Sequence, residues 1–289
     1  MSSTVARART SRPSVAVVGH VEWVQFARVV HVPRAGEVVH AEDPFEEPAG
    51  GGAVAAVQLA RLAGAASLVT VLGDDEYGRR SVTRLGELGV DVRASVVNAP
   101  TRRAVTLVDD AGERTITTFG PRLEPRGGEA PERWNQMAAL DALYFTAGDE
   151  AELRVARARS RVLVASPRAR DALGHGVRID VLVLSGDDEI ELRAAQPALA
   201  EAELVLWTDG ERGGRYRRRD GETGSWSAIR PPGERVDSYG CGDSFAAGLT
   251  YGLGAGLELA DALALAARCG AVCLTGRGPY ERQLTRDEL

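Results

Sequence analysis

The chain has 289 residues, a formal net charge of −6 and 44% apolar residues. That length holds one large α/β domain or two small ones with an ample core, and the charge excludes a general attraction to nucleic acid or to anionic membrane. All 35 basic residues are arginine, so no lysine is present for a Walker A loop, a Schiff base or pyridoxal phosphate.

Residues 1–13 are basic and rich in Ser and Thr, and are expected to form a disordered tail. No apolar run of signal-peptide length follows and no stretch approaches a membrane span, so a cytoplasmic location is expected. Residues 14–18 (SVAVV) read as a buried parallel strand ending at Gly19. Residues 21–39 alternate irregularly, and 37–48, acidic with two prolines, look like an excursion from the sheet. Gly50, Gly51 and Gly52 open a helix that ends near Gly64. Residues 67–73 form the next strand, and a helix with an acidic first turn follows it to Gly89. Over 90–120 the pattern changes to alternation, with Asp-Asp-Ala-Gly at 109–112 as a hairpin signal.

After Pro131 strands and helices alternate: a strand at 142–148, a helix at 150–159, a strand at 161–166, a helix near Arg168, a strand at 180–186, a helix through Ala200 and a strand at 203–210. Two helices close the chain, at 243–253 and 258–273. Repeated strand–helix units predict a three-layer α/β/α domain with a mostly parallel sheet, covered on both faces, and an inserted antiparallel sheet. The RYRRR cluster at 215–219 reads as a solvated hairpin edge. Cys241, Cys269 and Cys273 do not make a disulfide framework, and Cys269 and Cys273 share one helical face as small buried residues. His20, His31, His40 and His175 show no zinc spacing.

The first strand leads into GHVEWV, which is not a dinucleotide fingerprint. What remains is Gly240-Cys241-Gly242-Asp243 ahead of an apolar helix. Phosphoryl transfer to an alcohol needs a base for the hydroxyl proton and aimed donors for the transferring group. A carboxylate beside the backbone amides of residues 240–243 supplies both at the point where the two reactants meet. The plain alternative is a turn in which Asp243 merely caps a helix.

DSYGCGD (237–243) resembles the D-T-x-G-A-G-D signature of the ribokinase-like (PfkB) carbohydrate kinases. PAGGGAVAAVQLARLAG (48–64) is similar to their N-terminal glycine signature, VLGDDEYG (71–78) to the segment after it, and TDGERGG (208–214) to their nucleotide loop. The likeness spans nearly the whole chain, and it implies a ribokinase-like fold whose small antiparallel β lid has its strands at about 30–48 and 90–120. It implies transfer of the γ-phosphoryl group of ATP to a hydroxyl of a sugar, nucleoside or related small molecule. Asp243 falls on the catalytic base, and Gly240, Cys241 and Gly242 on the anion hole, with Cys241 in place of alanine. Thr208, Gly210, Gly213 and Ser185 fall on the nucleotide side, with Ala267 and Gly270 flanking adenine. Asp237 and Ser238 fall where members hold a monovalent cation such as K⁺. Lid strands of such proteins often pair between subunits, which implies a homodimer.

The chain also departs from that pattern. The motif that steers Mg²⁺ through water appears only as Ser185-Gly186-Asp187-Asp188, or with Glu189 one step later; an acidic first helical turn is the alternative. On the acceptor side, alongside Gly50, Gly51 and Gly52, Glu22 and Val24 replace an asparagine and an aspartate, and Val54, or Ala56 if the register shifts, replaces an asparagine. His20 and Trp23 are expected to line the pocket. The lost sugar-binding groups leave open a second reading, a nucleotide- or metabolite-binding protein on the same fold.

Overall fold

The computed structural model describes residues 12–135 and 137–289. The tail expected at 1–13 lies almost wholly outside the described residues. Nine strands form the large sheet. In spatial order they are β13 (Thr223–Trp226), β12 (Gly214–Arg218), β11 (Ala202–Thr208), β10 (Ile179–Ser185), β9 (Ser160–Ala165), β8 (Leu140–Phe145), β1 (Val15–Val18), β4 (Ala66–Gly73) and β5 (Val90–Val97). From β11 to β5 every neighbouring pair is parallel, and β12 and β13 add an antiparallel edge.

Successive residues of a strand point to opposite faces, and β1 shows both faces at once. Val15 and Val17 pack with α1 (Gly51–Ala63), with Leu85 of α2 (Glu76–Glu87), and with α5 (Cys241–Ala255) and α6 (Leu259–Cys273). Ala16 and Val18 pack on the other face with Leu153 of α3 (Glu150–Arg159) and Ala195 of α4 (Glu189–Ala195). These are the three layers expected. Among the described residues no helix is long and apolar enough to cross a membrane.

A second, four-stranded sheet runs in the order β3 (Glu42–Ala49), β2 (Glu22–Arg28), β6 (Arg103–Val108), β7 (Arg114–Phe119). Its outer pairs are antiparallel, while β2 and β6 run parallel. Its boundaries differ from those expected. The small sheet already begins at Glu22, residues 30–41 carry no strand, and Val90–Val97 pairs with β4 in the large sheet. β5 is the outermost strand there and only half-covered, so its residues alternate as those of a lid strand would. The helix expected near Arg168 is a single 3₁₀ turn at Arg170–Ala172.

β1 lies between β4 and β8, so the chain leaves it to one side and returns on the other. Open α/β sheets bind ligands in the crevice outside the carboxyl ends of strands at such a switch point. Gly19 and His20, which follow β1, and Thr146, which follows β8, border that crevice. Asp75 fixes the approach to the small sheet. It caps α2 through Gly78 N at 2.8 Å and accepts from Thr101 N and Thr101 Oγ1, both at 2.7 Å, which anchors the residue before Arg102.

Candidate active site

Two helices begin at the same spot. Gly240, the N-cap of α5, has φ +82°, a left-handed conformation that suits glycine; a Cβ there would also stand 2.9 Å from Val54 Cγ1. Gly50, the N-cap of α1, has φ +88°. A Cβ on Gly51 would stand 3.0 Å from Asp243 Oδ1, and one on Gly242 would meet nothing within 4 Å. Asp243, in the first turn of α5, is 8% exposed. The free amides and positive dipole ends of α1 and α5 therefore converge on one carboxylate with open space beside it.

Burial pushes the Asp243 carboxyl above the usual aspartate range, the Arg168 and Arg114 guanidiniums pull it back down, and Glu191 pushes it up again. Arg168 Nη1 donates to Asp243 Oδ1 at 3.3 Å and Arg168 Nε to Glu191 Oε1 at 2.8 Å. Glu191 Oε2 in turn accepts from Ser185 N at 2.9 Å. The charge of Asp243, ahead of that of Glu191, holds Arg168 firmly protonated. Sequence reasoning missed both Arg168 and Glu191. The available signal was a polar ASPRAR stretch directly after an apolar strand, and among 35 arginines it did not stand out.

The acceptor side holds several of the expected residues. A Cβ on Gly50 would stand 3.0 Å from His20 Nε2 and 3.3 Å from Glu22 Cγ, so Glu22, Gly50, Gly51 and Asp243 belong to one site. Burial raises the Glu22 carboxyl above its usual value, against the pull of Arg102, whose Nε is 3.5 Å from Glu22 Oε2. Burial also holds the His20 imidazole well below its usual pKa, helped by Arg122, Arg168 and Arg102. His20 Nδ1 is buried and has no protein partner. Gly52 lets α1 approach β1, since a Cβ there would stand 2.7 Å from His20 O.

Two expected pocket residues lie elsewhere. Val54 is wholly buried and packs beneath Gly240. Trp23 turns towards α2: its indole N–H donates to Glu46 Oε2 at 3.0 Å and the Arg80 guanidinium sits 4.2 Å over its ring. β2 alternates its side chains, so Glu22 and Trp23 cannot share a face.

Ser185 and Thr208 are register partners at the ends of β10 and β11. Gly210 (φ +56°) and Gly213 (φ +90°) bound a tight turn. Packing as well as conformation requires glycine at 213, where a Cβ would stand 2.7 Å from Ala228 N. Ala267 and Gly270 lie on α6, and a Cβ on Gly270 would stand 3.3 Å from Cys241 O, which seats α6 against the start of α5.

The expected cation residues all have partners within the protein. Asp188 Oδ1 caps α4 through Ile190 N at 2.8 Å and Glu191 N at 3.1 Å. Glu189 is exposed and pairs with Arg193 at 2.9 Å. Glu191 is the acid of this segment whose charge reaches Asp243. Asp237 accepts from Tyr239 N at 2.8 Å and from Gly278 N at 2.9 Å. Ser238 O and Ser238 Oγ both receive Arg114 Nη1 at 3.0 Å. A guanidinium from the small sheet thus contacts one of the two residues expected at the monovalent cation.

The pfkB family carbohydrate kinases match residues 12–165 and 180–286. A fructokinase of Klebsiella pneumoniae is 30% identical over 83% of this chain and 91% of its own. A ribokinase of Schizosaccharomyces pombe is 25% identical over 92% of this chain and 93% of its own. The structure of Arabidopsis thaliana ribokinase complexed with ribose and ATP superposes with a TM-score of 0.72 at 19% identity, covering 96% of this chain and 97% of that one. The strand order, the second sheet and the sequence matches agree across nearly the whole length, and the chain belongs to the pfkB family of carbohydrate kinases.

Proposed function

We propose that this kinase moves the γ-phosphoryl group of ATP to a hydroxyl of a sugar, nucleoside or related small molecule, with Asp243 as the general base. The observation that carries this reading is the position of Asp243, buried where the starts of α1 and α5 meet, beside open space at Gly242.

The acceptor lies against Gly50 and Gly51, between Glu22 and His20. Neutral His20 lines the Gly50 side of that space through its Cδ2–Nε2 edge. Asp243 takes the proton as the hydroxyl oxygen attacks. Backbone amides of residues 240–243 and the dipole of α5 meet the charge on the transferring group. Arg168 keeps Asp243 ionised despite its burial. The residues around Thr208, Gly210, Gly213, Ala267 and Gly270 hold the nucleotide. Mg²⁺ arrives as counter-charge on the nucleotide phosphates, and this reading assigns it no protein ligand. The small sheet excludes water from the crevice.

The test is ADP release from MgATP across hexoses, pentoses, sugar acids, sugar phosphates and nucleosides. A substrate should emerge, and Asp243→Asn should cut its turnover by about 10²–10⁴-fold with ATP binding retained. Near-normal turnover in that variant removes Asp243 as the base. Silence across the panel, with ATP bound, favours a binding protein on the same fold.

A homodimer through the small sheet is part of this reading. Its support is β7, an edge strand exposed along its whole length, with Ile116 and Phe119 in solvent. A monomer in sedimentation velocity would overturn it.

A further inference from the structure

Three strands place Thr208, Gly214 and Trp226 side by side. Thr208 of β11 is the register partner of Gly214 of β12, and Gly214 that of Trp226 of β13. Side chains alternate along a strand, so Thr208 shares the face of Leu204 and Leu206, which pack with α5 and α6. Trp226 packs into that same cluster. Two glycines make room for it: a Cβ on Gly214 would collide with the Trp226 ring, and one on Gly213 with the Trp226 carbonyl.

The indole also stacks on Phe245, with ring centroids 5.8 Å apart and planes 23° from parallel. A Cβ on Gly270 would stand 3.8 Å from Phe245 Cβ. Trp226 and Phe245 together therefore span from the turn at 210–213 to residues 267–270 of α6. The indole is half-buried, and its N–H is neither buried nor hydrogen-bonded among the described residues. β13 otherwise carries only Thr223, Gly224 and Ser225, so Trp226 is its one large side chain.

We propose that Trp226, backed by Phe245, is the platform for the base of the nucleotide, and that it makes the site prefer purine to pyrimidine nucleotides. This inference deepens the proposed function and rests on its placement of the nucleotide. Every nucleobase has a flat π face that gains by contact with an aromatic side chain. A bicyclic purine covers more of an indole than a monocyclic pyrimidine and removes more apolar surface from water. The uncommitted N–H adds a donor at the ring edge, matched by the ring nitrogens and carbonyls of a base.

The helix that carries Phe245 explains how the two reactants stay apart. Residues two apart on a helix face nearly opposite ways. Asp243 turns to Gly51 on the acceptor side, and Phe245 turns to Trp226 and Gly270 on the nucleotide side.

The full chain is titrated with MgADP and with MgCDP by calorimetry, and tryptophan fluorescence is followed in parallel. MgADP should bind about tenfold more tightly than MgCDP. Trp226→Ala should weaken MgADP by about 10–100-fold and bring the two nucleotides closer together, while Trp226→Phe keeps most of the affinity. MgADP should change the fluorescence of the parent, and that change should vanish in Trp226→Phe. Melting without nucleotide checks that each variant folds; should the alanine variant fail, the fluorescence comparison with Trp226→Phe still decides.

Equal MgADP affinity in the parent and Trp226→Ala, or the same fluorescence change in the parent and Trp226→Phe, overturns the platform. Equal affinities of the parent for the two nucleotides overturn the purine preference. A parent that binds neither nucleotide removes the nucleotide site itself, and the platform with it.

Discussion

Arg168 bridges Asp243 and Glu191, with Nη1 3.3 Å from one carboxylate and Nε 2.8 Å from the other. One guanidinium therefore divides its charge between the expected base and an acid that no substrate has to touch. Asp243 must be deprotonated to work, so activity should rise with pH as it ionises, above the usual aspartate range. Arg168→Gln removes the strongest charge holding Asp243 down and should move the acid limb of kcat/KM to higher pH. Glu191→Gln removes a repelling charge and should move it lower. Identical acid limbs in both variants and the parent would show that neither residue tunes the base.

Arg114 occupies both acceptors of Ser238. The kinase should therefore keep full activity when K⁺ and Na⁺ are replaced by tetramethylammonium. Arg114→Ala opens the acceptors, and the variant should lose activity and regain part of it with added K⁺. A parent enzyme that requires K⁺ would refute the substitution of guanidinium for cation.

Val54, expected in place of a sugar-binding asparagine, is wholly buried beneath Gly240. Val54→Asn should bury an unpaired amide and cost about 1–3 kcal/mol of stability, read as a lower midpoint in urea. An equally stable variant that gains pentose activity would mean that residue 54 faces the acceptor.

His20 is held neutral, with a folded pKa well below its ordinary value. Between the two values the unfolded chain binds a proton that the folded chain refuses, so stability rises with pH there. The contribution is complete above the ordinary histidine pKa and is lost as pH falls towards the folded one. Melting temperature should drop on mild acidification, and His20→Gln should flatten that drop. Parallel profiles for the two proteins would place the acid sensitivity elsewhere.

Much of this was legible in the chain. Apolar runs ending in Gly19 and near Gly148 gave the central strands because parallel strands are buried on both faces. Gly240-Cys241-Gly242-Asp243 was legible because few residues tolerate a left-handed N-cap with open space beyond it. Arg168 and Glu191 were not, since their roles depend on neighbours 75 and 23 residues distant from Arg168. Composition gave one arginine no more weight than another. Trp23 and Val54 misled because sequence position does not say which way a side chain turns, and both turn from the crevice. β5 reads as a lid strand in the sequence because an edge strand, covered on one side, alternates in the same way.

The hairpin between β6 and β7 reaches across to the loop before α5: Ser238 N donates to Gly112 O at 3.1 Å, and Arg114 holds the same residue. The small sheet and the GCGD turn are consequently fastened to each other. A chimera that exchanges the small sheet to change acceptor preference would unfasten residue 238 unless the graft carried its own equivalents of Gly112 and Arg114. Recombination that keeps residues 112, 114 and 238 from one parent should yield active hybrids, and crossovers between 114 and 238 should be the ones that fail.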